Sequence, residues 1–219
     1  MAKLFEQPRW IAVEGPIRAG KSSLAQILAE RTHARRITEP ENNPFLDRFY
    51  RGERDAAFPA QMWFLEQRHQ QMLREKQEDH DLPVVSDYIF EKDKLFAYIN
   101  LTDAELELYN RYFNLFRSDV AVPDLVIYLQ ASPEVLKQRL KRKDVASERA
   151  ISENYLEQTV KAYEHFFFHY TASDLLVVNT SDIDFVNNNS DLQMLLRRLE
   201  EPVKGTQYFL PLGAEAREA

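Results

Sequence analysis

The most specific chemistry in the chain is carried by nine consecutive residues. Gly15, Pro16, Ile17, Arg18, Ala19, Gly20, Lys21 and Ser22 satisfy the pattern G-x-x-x-x-G-K-[ST], and Ser23 extends the stretch. A chance match has odds on the order of one in a hundred at a typical ~7% glycine usage. The chain holds only five glycines and two of them bracket this stretch, which marks a backbone with special conformational demands. A loop of this kind, after a strand and opening a helix, points successive N–H groups and a helix N-terminus at one anion. Lys21 would place a point charge on the β and γ phosphates of a nucleoside triphosphate, and the Ser22 hydroxyl would ligate Mg²⁺. Arg18 is unusual inside such a loop, because a long cationic side chain must point outward or across the phosphates. A solvated side chain is its simpler role.

A phosphate cradle alone names no reaction, so the acids opposite it decide. In a parallel sheet, ligands collect at the carboxyl ends of the strands. Two acids are expected there: Glu39 in Thr38-Glu39-Pro40 and Asp87 in Val85-Ser86-Asp87. One can hold a metal while the other accepts a hydroxyl proton.

The elements that must position these groups are legible as short apolar runs alternating with amphipathic stretches. Strands are expected at 10–14, 36–38, 84–87, 125–129 and 175–179. Leu24, Ile27, Leu28 and Arg31 follow the first strand at helical spacing. Thr102 and Glu105 form a capping box, Ser132-Pro133 places a cap before a proline at the first helical position, and Asn187–Asn189 reads as a turn and cap for the last helix. Strands separated by helices imply parallel pairing with right-handed crossovers, so the fold class is α/β with five parallel strands. No linker divides the chain. One domain is expected over 1–201, with mobile charge around 142–149 and a tail from 202 to 219 that carries little to bury.

Composition narrows the function. The chain has 219 residues, with Lys plus Arg 28 against Asp plus Glu 35 and a net charge of −7. Such a surface repels nucleic-acid polymers and anionic membranes, so an anionic ligand needs its own pocket. The chain has no cysteine, which removes disulfides, thiolate metal sites and a Cys nucleophile. A reducing, cytoplasmic setting is expected, since the start has no apolar leader and no stretch approaches a membrane span. His165 and His169 are spaced i, i+4 but enclose Phe-Phe-Phe, so HExxH chemistry is absent.

The segments IAVEGPIRAGKSS, TEPENNPFLDRFY, QMWFLEQR, VVSDYIFEKDKLFA, PDLVIYLQASPEVLKQRL, SERAISENYL and IDF together resemble the P-loop deoxynucleoside kinases, particularly their bacterial deoxyadenosine/deoxyguanosine kinase branch. The resemblance spans about residues 8 to 186 and implies a P-loop NTPase-type sheet with a helical lid at about 139–150. It implies ATP and Mg²⁺ as cofactors, a deoxynucleoside as substrate and a homodimer paired through helices, for which the aromatic stretch 109–116 is one candidate face. By resemblance Glu39 is the base at the nucleoside 5′-hydroxyl, and Asp87 is the Mg²⁺ ligand partnered with Ser22. Tyr50 and Glu148 hold the sugar 3′-hydroxyl, Gln61 reads the nucleobase edge and Phe96 packs on the base. Gln61 and Arg68 are seven apart, two helical turns, so both can face one pocket. Arg139 opens the lid, Lys143 stands at its first later cation, and Asp184 and Phe185 sit at the donor adenine.

Two departures stand out. Tyr88 occupies the position of an arginine after Asp87, and Val145 that of the second lid arginine. Both missing groups would neutralise the transferring phosphoryl. Arg142, Lys143, Arg149 and Lys92 are the candidates to replace them. The expected activity is phosphoryl transfer from ATP to a deoxynucleoside, purine favoured. The alternatives are a nucleoside monophosphate kinase, or a nucleotide-binding member of the fold without catalysis.

Overall fold

The computed structural model describes residues 9–77, 82–145, 148–149 and 151–211. In it the first apolar run is β1, Trp10–Glu14. Its side chains alternate between two cores: Ile11 and Val13 face one cluster and Ala12 the other. The same alternation runs through β4, Leu125–Gln130, and β5, Asp174–Asn179, where Ile127 and Leu176 join the first cluster and Tyr128 and Val177 the second. Period-two side chains with both faces covered explain why these strands are continuous apolar runs.

All strand pairs are parallel, in the order β2-β3-β1-β4-β5-β6, with β2 at Arg35–Ile37 and β3 at Val84–Ser86. The chain leaves β1 toward β2 on one side and later returns to β4 on the other, so the strand order reverses at β1. Crevices for ligands open at such a reversal, beyond the carboxyl ends of the strands.

Helix α1, Lys21–Thr32, buries Leu24, Ala25, Leu28 and Ala29. Ile27 is only partly covered, and Arg31 is exposed in the last turn, where it complements the helix dipole instead of lying on the buried stripe. α2 is Leu46–Tyr50, and after a 3₁₀ turn the long α3 runs Ala57–Gln77. α4, Lys92–Asn100, and α5, Asp103–Arg117, follow β3. The capping box of α5 is formed, with Thr102 accepting from the Glu105 N–H and Glu105 from the Thr102 N–H. α6, Pro133–Lys143, α7, Glu153–Phe168, and α8, Asn189–Leu199, carry side-chain caps from Ser132, Ser152 and Asn188.

One expectation is overturned. Residues 202–211 are not a loose tail, because Thr206–Phe209 form β6 and pair with β5 from Leu175 to Val178. The entry is fixed by Gly205, at φ 63, whose N–H donates to Asp174 Oδ1 at 2.7 Å. Phe209 packs against the first core cluster, and the sheet has six strands rather than five. The last eight residues, and Ala146, Ser147 and Ala150 of the expected lid, lie outside the described residues.

Candidate active site

The turn from β1 into α1 is built on two glycines. Gly20 has φ 105, and a Cβ there would lie 2.6 Å from Phe185 Cζ; at Gly15 a Cβ would lie 2.5 Å from the Leu129 carbonyl oxygen. Neither position admits a side chain. The first turn of α1 has no side-chain cap and no acidic residue, so its N–H groups and positive dipole end remain available to an anion. Lys21 folds back over the loop and donates to the Pro16 carbonyl at 3.0 Å. Burial, reinforced by neighbouring Lys92, pulls its ammonium down to about 8 against the opposing pull of Glu14, Glu39 and Asp87.

Glu39 stands opposite this loop. Its N–H donates to Asp87 Oδ1 at 2.7 Å, which fastens the ends of β2 and β3 together. Its carboxylate accepts from Arg68 Nη2 at 2.5 Å and from Lys92 Nζ at 2.8 Å. Burial alone would raise this acid, but Lys92, Arg68 and Lys21 outweigh it and hold the carboxyl well below the usual range. Arg68 and Lys92 are themselves buried. Arg68 is anchored from behind by Asp93, whose other oxygen accepts from the Tyr109 hydroxyl at 2.6 Å and whose carbonyl accepts from Gln61 Nε2 at 2.8 Å. Gln61 is thus 4% exposed, and it and Arg68 converge on one residue, as their spacing of seven implies.

Sequence alone did not single out Lys92 as the cation at this site, nor Asp93 or Glu14 as parts of it. Glu14 is fully buried. Its Oε1 accepts from the Gly15 N–H at 2.8 Å and the Tyr163 hydroxyl at 2.9 Å, and its Oε2 accepts from the Ile89 N–H at 3.1 Å. Lys92 Nζ lies 3.9 Å away. One carboxylate therefore joins the start of the phosphate loop, the turn after β3 and α7. Its signal in the sequence is a charge closing an apolar strand directly before Gly15. Tyr88, in the place of the expected arginine, is fully buried and donates to Gln71 Oε1 at 2.6 Å, away from the loop. Of the four candidate replacements, Lys92 is the one bonded to Glu39. Arg149 pairs with Asp144 at 2.8 Å and Arg142 with Asp184 at 3.1 Å.

A cavity of about 520 Å³ opens here, lined by residues 17–23, Glu39, Arg139, Lys143, Glu148 and the stretch 184–187 among others. That volume suits a nucleotide. Arg139 reaches it, but its guanidinium donates to the carbonyls of Thr180 at 2.6 Å and Ile183 at 3.1 Å, so in this state it braces the loop after β5. Lys143 is exposed at the rim. Phe185 is 2% exposed and lies under Gly20; it supports the phosphate loop from the core, while Asp184 presents its carboxylate beside Arg142. Glu148 reaches across to Arg18. Tyr50, Gln61, Arg68, Asp87 and Phe96 do not line the cavity. Tyr50 is half-buried at the end of α2, where burial and the charges of Tyr155, Glu39 and Glu148 raise its phenol above the ordinary range. Phe96 lies edge-on to Tyr163 in the second core cluster, with Lys92 Nζ 5.8 Å from its ring centre.

Proteins of similar sequence and fold are known. A model of the deoxynucleoside kinase family matches residues 11–204. The chain is 34% identical over 201 residues to the deoxyguanosine kinase of Bacillus subtilis, covering 88% of this chain and 96% of that one. It is 28% identical over 209 residues to the deoxyadenosine kinase of Lactobacillus acidophilus, covering 89% and 96%. In three dimensions it is similar to the deoxyadenosine kinase of M. mycoides with bound dATP, with a TM-score of 0.74 at 23% identity over 88% of this chain and 99% of that one, a likeness of fold. Because the family match runs from β1 to the turn before β6 and takes in every element that builds the cavity, the chain belongs to the deoxynucleoside kinase family and is a phosphotransferase.

Proposed function

We propose that the chain transfers the γ-phosphoryl group of ATP to the 5′-hydroxyl of a deoxynucleoside, a purine by preference, in nucleotide salvage. The observation that carries this is the fixed anion at Glu39, lining the same cavity as Lys21 and Ser22. A nucleoside monophosphate kinase would need cations for an acceptor phosphate at that place, whereas a carboxylate suits a neutral hydroxyl. The purine preference rests on the names of the relatives.

Clamped between two cations, Glu39 stays ionised at neutral pH and always accepts. A weak base is enough, because phosphoryl transfer through a loose transition state needs the hydroxyl aimed more than it needs it deprotonated early. Gln61 would read the base, since a carboxamide offers a donor and an acceptor side by side, as a base edge requires, and Asp93 would hold Gln61 and Arg68 in place. Tyr50 and Glu148 would take the sugar, and Phe96 the base. Lys21 and the loop N–H groups would hold the β and γ phosphates, with Lys143 at the rim and Arg139 holding the loop on which Asp184 and Phe185 stand.

Mg²⁺ fits the donors present. Ser22 and Asp87 offer hard oxygen ligands, and Asp87 spends only Oδ1 on Glu39. Magnesium is commonly held by one or two protein oxygens, with phosphates and water completing its shell. When bound it would neutralise charge between the β and γ phosphates. We also propose a cytoplasmic homodimer. Leu108, Tyr112 and Leu115 expose one apolar stripe of α5 beside Tyr98 of α4, whereas Tyr109 and Phe113 are core.

The test is coupled ADP production with deoxynucleosides and their monophosphates. Nucleoside-dependent turnover that falls at least about 100-fold in Glu39→Gln supports the proposal. Turnover with monophosphates only, or ATP binding with no turnover, refutes it.

A further inference from the structure

Four residues other than glycine have positive φ among those described: Arg18, His33, Asn42 and Asp144. His33 and Asp144 close helices, where that conformation is routine. Arg18 is different. It sits inside the phosphate loop at φ 63, a backbone that favours glycine, so a long side chain there needs a reason to be kept.

The side chain itself supplies the reason. Arg18 Nε and Nη2 both donate to Glu148 Oε2, at 2.7 and 2.5 Å, across 130 positions of sequence. The pair is well shielded, with side-chain exposures of 20% and 18%. Neither described bond uses Glu148 Oε1, and Glu148 lines the cavity. Among the described residues the backbone at 148 is otherwise held by short-range turns, its N–H donating to the Val145 carbonyl and its carbonyl accepting from the Ile151 N–H. The Glu148 charge is also felt at the Tyr50 phenol, which puts the two expected sugar contacts near each other.

We propose that Arg18 is a positioning residue for the acceptor: it pins Glu148 across the cleft by one carboxylate oxygen and leaves the other to accept the sugar 3′-hydroxyl. The loop that grips the donor phosphates thereby also fixes the place of the sugar. This rests on Glu148 as the sugar contact in the function proposed above.

Steady-state kinetics with a 2′-deoxynucleoside and its 2′,3′-dideoxy counterpart test it. Arg18→Gly suits the left-handed backbone and keeps the fold, checked by circular dichroism. It should raise KM for the deoxynucleoside about tenfold, the loss of one charge-assisted hydrogen bond, with kcat falling less than KM rises. KM for the dideoxynucleoside and for ATP should stay within about twofold. Glu148→Gln should act alike, Arg18→Gly with Glu148→Gln should be no worse than either alone, and Arg18→Lys should restore part of the loss. An unchanged ratio between the two nucleosides, or an effect confined to ATP, overturns the proposal. Amide hydrogen exchange at Glu148 and Arg149 in the ligand-free protein reads the tether without any substrate. It should speed up in Arg18→Gly, and unchanged exchange also overturns the proposal. A wild-type enzyme indifferent to the 3′-hydroxyl defeats the sugar role of Glu148, and with it this proposal, while the exchange result shows whether the tether itself stands.

Discussion

Lys21 titrates within reach of ordinary buffers. Its ammonium is pulled down to about 8, and only the charged form attracts a triphosphate, so kcat/KM for ATP should fall about tenfold per pH unit above that point. A pH profile checks this, and Lys21→Arg, which does not deprotonate, should lack the alkaline limb. Lys92 sets the other end of the scale. Cations depress Glu39, so the stability its charge confers is present above the ordinary carboxylate range and is lost only as the pH drops through a lower value. Lys92→Met removes the ammonium that lies 2.8 Å from Glu39 and 3.9 Å from the buried Glu14. It should move the acid limb of kcat/KM upward and destabilise the fold by about 3 kcal/mol, read by pH profiles and chemical denaturation. Lys21, Ser22, Glu39 and Asp87 were legible because motif spacing and strand ends locate them. Lys92 stood only as one of four candidate cations and Asp93 was missed, because Glu91-Lys92-Asp93-Lys94 has the composition of a solvated helix start, and burial of charge leaves no mark on a one-dimensional pattern.

At the scale of elements, the strands that were easy to find are those covered on both faces. β6 escaped notice because it is an edge strand of four residues with Tyr208 61% exposed, and so it has no continuous apolar run. Its contribution is still measurable. A chain ending at Glu201 uncovers the outer edge of β5 and the core under Phe209, and should lose about 2 kcal/mol or more. Thermal denaturation should show a lower and less reversible transition, and an unchanged midpoint would show that β6 adds nothing. Tyr88 illustrates a further limit: chain position places it beside Asp87, but its direction, into the contact with Gln71 of α3, depends on a helix that sequence spacing does not orient. The caps at Thr102, Ser132 and Asn188 were readable because they are local, satisfied within three residues by the chain that follows.

For the whole molecule, donor and acceptor groups meet only because the parallel strands deliver them to one end of the sheet, so ligand binding and folding are linked. ATP at 100 times its Kd should add about 2.7 kcal/mol, which raises Tm by roughly 5–10 °C for a chain of this length, and Lys21→Ala should abolish that shift while remaining folded. The strand order has a consequence for synthesis on the ribosome. β2 cannot dock on β1 directly, since β3 lies between them, and the close packing of Gly15 is against Leu129 of β4. The emerging polypeptide therefore carries β1 and β2 without a sheet to join until β3 has been made, and acquires a nucleotide-competent loop only after β4 has left the exit tunnel.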